Sequence, residues 1–159
     1  MKEYSLTIIF NKTKDALLVC YNKKLGKYNY VGGKSEPEDR YWLDTAYREL
    51  EEETGITRGD VTIYFIRKEK VTTWDSVDWN MTISAGILEK DIELVEGENK
   101  LYWLPIKGIK RLLDDEFMGN GNCYTFYIES CKMLGLDYKS VYGSINDYCS
   151  CMLDPVKMS

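Results

Sequence analysis

Glu49, Glu52 and Glu53 are the side chains best placed to do chemistry. On a helix they stand at i, i+3 and i+4, so one face carries three carboxylates, while Glu51 points away to solvent. Like charges this close cost an isolated helix ~0.2–0.5 kcal/mol per pair, a cost that a divalent cation among them removes. Oxygen donors with no histidine or paired cysteine select a hard metal, Mg²⁺ first and Mn²⁺ second. Such an ion keeps several waters and takes substrate phosphates in its remaining positions. A site of this kind hydrolyses phosphoanhydrides: the metal neutralises phosphate oxygens and activates water, and a nearby carboxylate takes the proton. Charge alone would leave "RELEEE" as a solvated helix face. The pair Gly32-Gly33, at loop distance before it, lets backbone approach a metal or phosphate without Cβ interference.

These carboxylates need a helix held against a sheet. From Arg40 to Thr54 the pattern is helical, with Leu43, Ala46 and Leu50 at i, i+3 and i+7 as the anchoring stripe and Gly55 at the expected C-cap. "YSLTIIF" and "ALLVCYN" read as strands paired in a hairpin, and "KKLGKYNYV" leads as loop and strand into the glycines. "DVTIYFIRKEKV", "WNMTISAGILE" and "LYWLPI" are further strands, with "DIELVEGENK" a charged loop. "KGIKRLLDDEF" and "CYTFYIESCKMLG" are helices. The order predicts a mixed α/β domain with mostly antiparallel pairing and helices covering the sheet.

The totals narrow the function. With 159 residues the chain is one domain, 1–159, in which the poorly patterned 137–159 reads as a partly ordered tail. The absence of histidine removes Ser–His and Cys–His nucleophilic catalysis. Five scattered cysteines without a CxxC pair point to free thiols in a reducing compartment, hence a cytoplasmic protein, each read as a small buried apolar group except the C-terminal Cys149 and Cys151, to which no role is assigned. A net charge of −5 argues against nucleic-acid polymers as partners. No apolar run reaches membrane-span length, and the N-terminus reads as a first strand, not a signal peptide.

"RELEEETGI" (48–56), preceded by "GGK" (32–34), resembles the Nudix box: glycine, five residues, glutamate, seven residues, then R-E-U-x-E-E-x-G-U with U a bulky aliphatic. Every fixed position of the second half matches, over about a sixth of the chain. The resemblance implies a Nudix-type α/β/α sandwich with a mixed, largely antiparallel sheet. It also implies a Mg²⁺-dependent hydrolase acting on acid anhydrides of phosphorus, with Mn²⁺ as substitute. In that frame Glu52 and Glu53 look like the principal metal ligands, and Glu49 like a ligand or the water-activating base. Arg48 would hold Glu49, the carbonyl of Gly32 or Gly33 would add an oxygen ligand, and Lys34 would touch phosphate. The first half departs from the pattern: fourteen residues separate Gly33 from Arg48 against thirteen, and Asp39 replaces the first glutamate, with Glu36 and Glu38 nearby. Which of these carboxylates supports the metal from that side stays open.

"YVGGK" is similar to the MutT-like branch, whose substrates are nucleoside triphosphates. ADP-ribose, nucleotide sugars and RNA caps are the alternative substrates, and a non-catalytic nucleotide sensor is the alternative role. In MutT-like enzymes an asparagine near the last helix reads the purine edge, a role open to Asn120 or Asn122, since an amide both donates and accepts. Tyr4, Trp74, Trp79 and Tyr102 are candidates to stack a base. Glu96 and Glu98 offer a late carboxylate near the metals. Small nucleotides are the implied partners, and family resemblance also allows a homodimer.

Overall fold

The computed structural model describes residues 2–73, 75–107, 109–115, 117 and 122–137. Among them, seven strands form one mixed sheet: β1 (Lys2–Phe10), β2 (Ala16–Asn22), β3 (Lys27–Asn29), β4 (Val31–Lys34), β5 (Tyr64–Thr72), β6 (Asp78–Ile87) and β7 (Lys100–Pro105). The helices are α1 (Trp42–Thr54), α2 (Ile109–Asp115) and α3 (Asn122–Leu134).

Side-chain alternation along β1 builds the two cores. Leu6, Ile8 and Phe10 point into one core with Leu112, Leu113, Phe126 and Tyr127 of α2 and α3. Ile9 points to the opposite core, where Leu18, Val31, Leu94 and Leu101 meet Ala46 and Leu50 of α1. The sheet is therefore covered on both faces, the α/β/α sandwich expected from the sequence. Full burial of Leu50 alone contributes about 2–3 kcal/mol to holding α1 down.

Strand neighbours differ from the simple hairpin reading. β1 and β2 are antiparallel but paired only at Phe10↔Leu17. Beyond that point β1 pairs with β4 (antiparallel, Tyr4↔Lys34 to Thr7↔Val31) and β2 with β7 (antiparallel). The other edge of β1 runs parallel to β6 along its whole length, Lys2↔Trp79 to Phe10↔Ile87. β5 completes that side as the antiparallel partner of β6. The splaying of β1 from β2 opens the place that β4, with its two glycines, fills.

α1 starts at Trp42, two residues later than its sequence pattern. Asp44 reaches back to accept the Arg40 N–H at 3.0 Å, and Tyr41 stays extended (φ −159°, ψ 176°). Its end falls where expected: Gly55 takes the left-handed conformation (φ +79°) and gives its N–H to Glu51 O at 2.9 Å.

Candidate active site

The glycine pair and the acidic helix meet. A Cβ on Gly33 would lie 2.2 Å from the Glu49 carboxyl carbon, and one on Gly32 would lie 2.0 Å from the Ser5 carbonyl oxygen. Only glycine lets β4 pass between β1 and the carboxylates. On the far side, the loop before β7 is pinned to the end of α1: Val95 N–H donates to Thr54 O at 2.9 Å and Gly97 N–H to Glu53 O at 3.1 Å.

Arg48 is the centre of an ionic network. Its Nη2 donates to Asp39 Oδ2 at 2.9 Å and its Nε to Asp39 Oδ1 at 3.1 Å, a two-point grip. Nη1 donates to Glu49 Oε1 at 3.0 Å and Glu52 Oε2 at 3.1 Å, and Nη2 also reaches the Lys34 carbonyl at 2.8 Å. Arg48 thus does hold Glu49, but its best-satisfied partner is Asp39. The Asp39 side chain is only 5% exposed and also accepts from Thr45 Oγ1 and the Glu36 N–H. Hydrogen bonds from Arg48 pull its carboxyl down to about 2. Across a loop one residue longer than the pattern, which turns at Pro37–Glu38, the shorter aspartate still reaches Arg48. Glu36 sits at the rim, 3.5 Å from Nη1 and half exposed.

Glu49 and Glu53 are partly buried, and burial pushes both carboxyls above their ordinary range, with the charges of Glu49, Glu98 and Glu52 adding to the rise at Glu53. Glu53 Oε2 is buried with no hydrogen-bond partner. Glu52 is exposed, Glu51 faces solvent, and Glu98 is exposed but close enough to act on Glu53 electrostatically. Glu96 instead closes its own turn, accepting the Leu101 N–H at 2.8 Å. Among the described residues no three histidine, cysteine or acidic side chains stand as a formed metal cage, and Arg48 holds Glu49 and Glu52 on its guanidinium. The donor set nevertheless fits a hard divalent ion: all its donors are oxygens, one carboxylate oxygen is buried and unsatisfied, and the Gly33 gap lets backbone approach.

The raised carboxyls have a pH consequence. In the folded chain they hold protons that the unfolded chain releases near pH ~4.3, so their contribution is most favourable in acid and declines as pH rises through the folded values. As pH rises the two carboxylates ionise and come to repel, and a bound cation relieves this. Mg²⁺ or Mn²⁺ at a hundredfold excess over its Kd is expected to stabilise by about 2–3 kcal/mol. The gain in Tm should be clearly larger at pH 7 than at pH 5 in thermal melts with and without metal. Equal gains at both pH values would contradict it.

Next to the carboxylates lies a cleft of about 440 Å³, lined mainly by apolar atoms. Tyr4, Lys34, Trp79, Asn122, Phe126 and Asn29 are among its walls. Tyr4 packs edge-on to Trp79 (centroids 6.1 Å), and the Lys34 ammonium stands 5.4 Å from the Trp79 ring. Burial, then the charges of Cys20, Glu49 and Glu53, push the Tyr4 phenol up to about 12, so it stays a donor. The cleft thus gathers four of the substrate candidates: Tyr4, Lys34, Trp79 and Asn122. Tyr102 instead packs on Tyr28 (5.8 Å) beside the α2/α3 core. Asn120 and Trp74 lie outside the described residues, as do Cys149 and Cys151, while Cys20, Cys123 and Cys131 are buried. Asn29 was missed by the sequence reading; its one available signal was its place four residues before Gly33.

Comparison with known proteins agrees with this geometry. The NUDIX domain family matches residues 4–121. No curated protein sequence matches. Among solved structures, the chain is similar to the E. coli dihydroneopterin triphosphate pyrophosphohydrolase (14% identity, 82% of this chain and 95% of that one, TM-score 0.67). It is also similar to a MutT protein from Bacillus halodurans (22%, 80% and 80%, 0.65). A third is a C. elegans Ap4A hydrolase (14%, 86% and 100%, 0.67). At these identities the likenesses speak for the fold, whereas the family match spans well over half of the sequence and includes the glycine pair, Asp39, Arg48 and the three carboxylates. The chain belongs to the Nudix hydrolase family.

Proposed function

We propose that this protein is a divalent-metal-dependent nucleoside triphosphate pyrophosphatase of the MutT-like type, releasing a nucleoside monophosphate and pyrophosphate. The observation that carries the reading is that the carboxylate face and the apolar cleft share a wall at Lys34. Its carbonyl is held by Arg48 beside the carboxylates, and its side chain reaches into the cleft. A substrate with phosphates at one end and a flat ring at the other suits that arrangement, and the volume suits one base.

Glu52, Glu53 and the carbonyl of Gly32 or Gly33 would hold Mg²⁺, with Mn²⁺ as substitute, and Glu49 would serve as a further ligand or as base. The ion, when bound, neutralises phosphate oxygens and lowers the pKa of water. Burial makes Glu49 a better proton acceptor than an ordinary carboxylate. Arg48 restrains Glu49 and Glu52, the Lys34 ammonium meets phosphate, Trp79 and Phe126 give the base apolar surface, and Asn122 meets its edge.

A panel of ribo- and deoxynucleoside triphosphates, ADP-ribose, nucleotide sugars and capped RNA, each with Mg²⁺ and with Mn²⁺, tests this. Pyrophosphate release from triphosphates is the expected result. Turnover confined to ADP-ribose, nucleotide sugars or caps would replace the substrate, and tight binding with no turnover would make the protein a sensor.

A further inference from the structure

We propose that Tyr30, fully buried in the core on the α2/α3 side of the sheet, is a positioning residue for base recognition, fixing both amide-bearing walls of the cleft. This rests on the reading of the cleft as the base site. Tyr30 stands between Asn29 and the glycine strand, 1% exposed. Its phenol donates to the carbonyl of Cys123, in the first turn of α3, at 2.7 Å, a bond spanning 93 positions of sequence. Asn122, which opens that turn, and Cys123 both line the cleft.

At its other end the Tyr30 backbone N–H donates to Asn29 Oδ1 at 2.9 Å. That takes one of the two lone pairs of Oδ1, fixes the orientation of the amide and leaves Nδ2, a donor, for a ligand. Asn29 therefore suits a base that offers a ring nitrogen or keto oxygen on that edge. The Tyr30 ring also packs on Phe117 (5.3 Å), ahead of α3. Burial holds the phenol protonated, so the bond to Cys123 has one direction only. One buried side chain thus ties the chain between β3 and β4, next to Asn29, to the helix that carries Asn122. An error in that tie moves the amides relative to the base and leaves the phosphate end where it is.

The test uses Tyr30→Phe, Asn29→Ala and Asn122→Ala, with circular dichroism to verify folding. Substrates are the best triphosphate of the panel and an abasic deoxyribose triphosphate. Tyr30→Phe is expected to raise KM for the nucleotide about three- to tenfold, the worth of one hydrogen bond, with kcat within about twofold. It should leave the abasic substrate unaffected and add nothing in an Asn122→Ala background. An equal loss on both substrates, or additivity with Asn122→Ala, overturns the proposal. If Tyr30→Phe does not fold, Phe117→Leu, which loosens the packing on the Tyr30 ring, takes its place: a higher KM for the nucleotide with the abasic substrate unaffected is expected, and an equal loss on both substrates overturns the strut. If neither amide variant changes KM for the nucleotide, the base assignment of the cleft fails with it. Effects of the amide variants without an effect of Tyr30→Phe overturn the positioning role alone.

Discussion

Glu53→Gln is expected to lower turnover by about 10²–10⁴-fold while the fold survives. The substitution keeps shape and removes the charge through which Glu53 is proposed to hold the cation. In the metal-free protein that charge is a burden: Glu53 is partly buried, its Oε2 has no partner, and Glu49, Glu98 and Glu52 all oppose its ionisation. The variant without metal should therefore melt at or above the wild-type Tm at pH 7. Its gain in Tm on adding Mg²⁺ should be largely lost. Steady-state kinetics at saturating Mg²⁺ and paired thermal melts read both effects. Turnover within about threefold of wild type would remove Glu53 from the ligand set.

Asp39→Asn tests the part of the network where the chain departs from its family's pattern. It removes the charge from a carboxylate that is 5% exposed and gripped twice by Arg48. A charge-assisted bond of this kind contributes about 2–3 kcal/mol, so Tm should fall by roughly 5–10 °C at pH 7. Turnover should fall about 10–100-fold, because Arg48 then holds Glu49 and Glu52 less firmly. The pH dependence has a definite sign. The folded carboxyl sits at about 2, below its ordinary value, so its stabilisation is complete above pH ~4 and is lost as pH falls from there through about 2. Wild type and variant should converge in stability toward pH 2. A gap of constant size from pH 7 to pH 2 would show that the charge of Asp39 is not what stabilises the network.

Much of the carboxylate face was legible in the sequence because its signals are local. Glu49, Glu52 and Glu53 share a face by helical period alone, Leu50 and Ala46 mark the buried stripe, and Gly55 marks the helix end. Glu98 was a candidate on position, and the structure brings its charge to bear on Glu53. The pairing of β1 was less legible. The hairpin signal of β1 and β2 is real at Phe10↔Leu17, yet the partner along the full length of β1 is β6, met in parallel and tied by bonds such as Thr7 to Ser84 at 3.1 Å. Alternation states that a strand has two faces; it does not name the neighbour on either edge.

The sequence by itself determined the acidic face, the glycine pair and a mixed α/β domain, since each follows from residue type at short spacing, and its box motif carried the resemblance that implied the sandwich and the family. Tertiary structure alone decided that Asp39 reaches Arg48 across a loop one residue longer than the pattern. It alone brought Asn29, Trp79 and Phe126, from three distant elements, around one cleft. The physical reason is that spacing along the chain fixes which side chains share a face, whereas which faces meet is set by the packing of the whole core.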